Sequence, residues 1–162
     1  MIEYFKDKNI MAKKSLSKTG MTTASGYEEN AWQQFFVLAE HWQSDLKFFA
    51  DELQFLKSII DKYFIWLTDE KNLADTQRLT ATLINLEKSR VHIEQKVESH
   101  LKNLVTLIKD GILQDAQNCK DEHGELQIGL TALVKDFRQI KKEIFELTKR
   151  VMESEKNHHL LS

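Results

Sequence analysis

From Ala31 onward the apolar residues recur three and four positions apart, and the spacing persists through most of the chain. The first run is Phe35, Ala39, Trp42, Leu46, Phe49, Leu53, Leu56, Ile60, Tyr63 and Leu67. Alternating steps of four and three put one stripe on a helix, the seam along which helices pack side by side. "TDEKNL" at 68–73 interrupts it, with Asn72 placed to cap the next helix and Asp75 in its first turn. A second seam then follows: Leu79, Leu83, Leu86, Arg90, Ile93, Val97, His100 and Leu104, with Ile108 and Ile112 drifting onto a neighbouring stripe. "NCKDEHG" at 118–124 reads as the next turn. The third seam is the most regular: Leu126, Leu130, Leu133, Phe137, Ile140, Ile144, Leu147 and Val151.

These runs predict helices over about 28–68, 73–117 and 122–157, far longer than the usual globular helix of about 11–12 residues. Short turns between long helices make neighbours antiparallel. The expected fold is all-α: an elongated antiparallel three-helix bundle with coiled-coil-like heptad packing, with dimerisation as a way to complete it. Residues 27–157 form the bundle, 1–26 a flexible basic tail rich in Ser, Thr and Lys, and 158–162 a frayed end.

The first helix is unlike the others. It takes all three tryptophans, six of the nine phenylalanines and Tyr63, whereas the second has no aromatic residue. Beside its seam runs another stripe: Leu38, His41, Asp45, Phe48, Glu52, Phe55, Ile59 and Trp66. A face that wide implies two neighbours. Both can be helices of the same chain; otherwise Phe48, Phe55, Ile59 and Trp66 are left over as a homodimer or partner surface, as large exposed apolar patches are.

Composition narrows the picture further. The 162 residues contain no proline and five glycines, which suits long helices with few turns. The formal charge is −2, with the tail basic and the helical body acidic, so a nucleic-acid partner is not expected. No apolar run is long enough to span a membrane. The N-terminus has no secretory pattern, and the single cysteine, Cys119, forms no pair; both point to the cytoplasm.

Two polar constellations raise a question of chemistry. His41 and Asp45 are helix neighbours four apart. If the first hairpin folds about residues 70–71, Glu52 meets Arg90, Asp45 meets Lys96–Glu98, and His41 meets His100. On one reading these are polar pairs that fix the antiparallel register. On the other, His41, Asp45, Glu98 and His100 hold zinc, iron or manganese between the first two helices. Ferritin-like sites need Glu-x-x-His on each of two helices, and here it occurs only at Glu155–His158. A hemerythrin-like site needs histidines spread over four helices. Cys119 and His123 mimic a Cys–His dyad, but a turn offers no rigid pocket. There is no HExxH, phosphate loop or GxSxG elbow. The expectation is a non-enzymatic interaction or scaffold protein, with no catalytic residue, cofactor or small-molecule substrate, acting on a protein partner or its own copy. The alternative is a metal-binding bundle.

Overall fold

The structure, a computed structural model, describes the backbone of residues 24–63, 70–110 and 116–161, and side chains within 30–63, 72–109, 116–154 and 156. Every described residue is helical: α1 is Ala24–Tyr63, α2 Glu70–Asp110 and α3 Ala116–Leu161. From Ala31 on, these helices belong to one compact unit, an antiparallel three-helix bundle.

Its core is the three seams. Trp42, Leu46, Leu56, Leu79, Val97, Leu104, Ile140 and Ile144 are almost wholly withdrawn from solvent. Every apolar member expected for α3 is buried, from Leu126 to Val151. On α1, Ala39 to Ile60 is buried, Phe35 and Tyr63 pack against the core, and Leu67 lies outside the described residues. On α2 the seam runs to Leu107, which takes the buried place, while Ile93 and Ile108 are only partly covered. Ile112 lies outside the described residues.

Cross-helix contacts set directions. Late residues of α2 meet early residues of α3, as in His100 with Glu122, and early meet late, as in Arg78 with Glu143 and Asp75 with Arg150. On α1 and α3 the order runs the same way: Phe35 stacks on His123, Phe49 packs on Phe137 and Glu52 pairs with Lys141. Thus α1 and α3 are parallel and α2 runs against both. The backbones of α2 and α3 approach most closely. A Cβ added to Gly129 of α3 would sit 3.7 Å from Ile93 of α2, an ordinary contact.

Residues 70–73 of the first expected turn and 118–124 of the second are helix instead, while 68 and 69 lie outside the described residues. Asn72 lies inside α2, where its carbonyl accepts the Thr76 hydroxyl at 2.7 Å, so it caps nothing. Residues 118–124 open α3 rather than precede it. The reason is periodicity: Ala116, Cys119 and His123 extend the α3 seam backwards at steps of three and four, and all three are buried. Burial along the seam outweighs the turn-like composition of "NCKDEHG".

Candidate functional site: two polar layers in an apolar core

Four polar or charged side chains are buried among the described residues: Thr76, Arg90, His100 and His123. Thr76 satisfies itself on the preceding turn. The other three define two layers.

In the first layer, Arg90 occupies a seam position of α2. Its Nε and Nη2 donate to the two carboxylate oxygens of Glu87, each at 2.8 Å, and Nη1 donates to Glu94 at 2.8 Å. Nη1 also reaches the Leu46 carbonyl of α1 at 3.5 Å. A guanidinium is a planar fork that fits a carboxylate two bonds at a time. The bonds to Glu87, and then those to Glu94, hold its proton more tightly than usual against the opposing effect of burial.

The second layer joins α2 and α3. His100 is fully buried, with Nδ1 3.0 Å from Glu122 Oε2 and Nε2 2.9 Å from His123 Nδ1. A carboxylate only accepts, so His100 Nδ1 carries the hydrogen and donates it. In the neutral ring Nε2 is then a lone pair, and His123 donates to it from Nδ1. Asn103 Nδ2 adds a longer bond to Glu122, at 3.4 Å.

The His123 ring is stacked on two aromatic rings of α1. Phe35 lies 3.9 Å away at 10°, and Trp42 4.5 Å away at 29°. Burial, and then any positive charge on His100, push the His123 value down to about 4 from 6.5. The ring is therefore neutral at neutral pH. Cys119 Sγ lies 3.9 Å from His100 Nδ1, and burial followed by the charge of Glu122 push its thiol up to about 11. Since the thiolate is the reactive form, this sulfur is a packing atom at neutral pH. What the layer does is tie α2 to α3 through the hydrogen-bonded chain Glu122–His100–His123.

The residues expected to form a site are placed differently. His41 and Glu98 are at exposed positions, and Asp45 is half-buried, its carboxyl pushed up by burial against the opposing effect of His41. His100 instead faces α3. His41 and Asp45 interact across one turn of α1, and among the described residues no group of three or more His, Cys, Asp or Glu is arranged to hold a metal ion. Glu52 pairs with Lys141 Nζ at 2.7 Å rather than with Arg90. Residues 70 and 71, about which the hairpin was expected to fold, lie within α2, and Arg90 reaches the Leu46 carbonyl of α1 rather than Glu52.

Glu122 was not among the expected site residues, and Cys119 and His123 were read as turn. The signal that finds them is the seam spacing carried back through 119 and 123. Of the expected interface residues, Phe48 is 47% and Phe55 59% exposed, Ile59 is half-buried against the core, and Trp66 lies outside the described residues. Phe145 and Met152 of α3 are similarly open at 44% and 47%. No helix among the described residues is long and apolar enough to cross a membrane. No family model matches the chain, nor does any curated protein or solved structure.

Proposed function

We propose that this chain is a non-enzymatic bundle protein whose work is to bind protein surfaces, beginning with a second copy of itself. The observation that carries this is the outward display of large apolar side chains, above all Phe48 and Phe55 one heptad apart on α1. The bundle core is already filled by the three seams, and these rings leave about half of their surface open to solvent. Exposed apolar patches of this kind usually belong to interfaces. The seam spacing on all three helices supports coiled-coil packing within the chain and the same mode between chains. One buried, protonated thiol fits a reducing, cytoplasmic setting.

Light scattering on the full chain tests the reading. The expected mass is twice that of one chain, and Phe48→Ser with Phe55→Ser gives a monomer of unchanged helix content. A wild-type chain that stays monomeric up to millimolar concentration overturns it. The metal-binding alternative has less support, since His100 turns to Glu122 and His123 of α3.

A further inference from the structure

The outer face of α3 carries a seam of its own. Lys135, Arg138, Lys142, Phe145, Lys149 and Met152 follow one another three and four apart, and all are exposed. Four of the six are cations and none is an acid. The outer face of α1 carries another: Ser44, Phe48, Asp51, Phe55 and Ser58, also exposed, also at steps of three and four. Its one charge is negative and lies between the two phenylalanines.

Laid antiparallel, the two faces match in size and charge. Phe48, Asp51 and Phe55 are separated by three and then four residues; Met152, Lys149 and Phe145, read backwards, are separated by three and then four. Apolar meets apolar at both ends, and acid meets cation in the middle. We propose, resting on the self-association reading, that α1 of one copy docks on α3 of a second copy with Phe48 on Met152, Asp51 on Lys149 and Phe55 on Phe145.

The arrangement closes on itself. Because α1 and α3 of one chain are parallel and adjacent, tied by Glu52 with Lys141, a two-fold axis across the helices makes them antiparallel to their counterparts. The same axis generates both α1–α3 contacts at once. That is the isologous geometry of a closed dimer, which leaves no open end for further growth. Little has to be given up to form it. Lys149 pairs with Glu153 at 3.8 Å, and both side chains are well exposed; such pairs contribute little. The rest of the α3 seam, Lys135, Arg138 and Lys142, adds a positive field that steers the more acidic α1 face toward it.

Sedimentation equilibrium on the full chain tests the pairing through a charge swap. Asp51→Lys alone and Lys149→Asp alone are each expected to weaken the dimer about tenfold, since every dimer contains the contact twice. The double variant, Asp51→Lys with Lys149→Asp, is expected to return to within about threefold of wild type. Circular dichroism should be unchanged throughout, because both positions are exposed. A wild-type dimer whose double variant shows no rescue overturns this pairing and leaves self-association standing. A wild-type monomer overturns both.

Discussion

Arg90 and His100 both place a polar group in an otherwise apolar seam of α2, and the bundle satisfies them in opposite ways. Arg90 is answered by its own helix: Glu87 and Glu94, one turn before and one turn after, take its charge. Its bond to another helix is the long one to the Leu46 carbonyl. His100 is answered by another helix, through Glu122 and His123, and His123 is in turn held by two rings of a third. One layer is complete before the helices meet. The other exists only when all three are in place. A locally satisfied polar group tolerates sliding of its neighbours, whereas the histidine layer is tied to one register.

The sharpest way to break the comparison is at the hub of the cross-helix layer. His123→Ala removes two stacked contacts, opens a cavity and leaves His100 Nε2 without its donor. The expected loss in denaturant unfolding is about 4 kcal/mol.

Acid probes the same ring. Its folded value lies at about 4, against 6.5 when unfolded. Between those values the unfolded chain binds a proton that the folded chain does not. Stability therefore falls as pH drops from 6.5 toward 4 and flattens below, by on the order of 3 kcal/mol in all. His123→Phe, which keeps the stack but cannot titrate, should lose that component of the slope, so the difference between the two pH–stability curves measures it directly. Parallel curves would contradict the assignment.

The Arg90 layer calls for a different pair of changes. Removing both partners with Glu87→Ala and Glu94→Ala leaves a buried guanidinium with no anion, at an expected cost of about 2 kcal/mol by chemical denaturation. Replacing Arg90 itself with Met removes the buried charge instead, and the melting free energy should stay within about 1 kcal/mol of wild type. If Arg90→Met proved as damaging as His123→Ala, the local character of that layer would be refuted.

The three helices, their order and most of their core positions were legible because the pattern that builds a seam is the pattern that is read. Arg90 and His100 as seam residues were legible too, from steps of three and four alone. Their partners were not. Glu87 and Glu94 sit one turn either side of Arg90, where spacing alone permits the pairs, but spacing does not rank them against a cross-helix acid such as Glu52. Glu52–Arg90 and His41–His100 each depend on a hairpin folding about residues 70–71, which lie within α2, and Arg90 faces Leu46 of α1 instead. Cys119 and His123 were obscured by composition: Lys, Asp, His and Gly in sequence resemble a turn, although helix α3 runs through them with both residues on its buried face.

The stack of His123 on Trp42 also makes the bundle its own spectroscopic instrument. Trp32 and Trp42 lie on α1, and the indole of Trp42 lies 4.5 Å from an imidazole supplied by α3. Its emission thus responds to whether the first helix is seated and to the charge state of the ring it touches, while far-ultraviolet dichroism records helix content everywhere. Followed together through an acid or denaturant titration, the two signals separate undocking of one helix from melting of the whole, with no label attached to the chain.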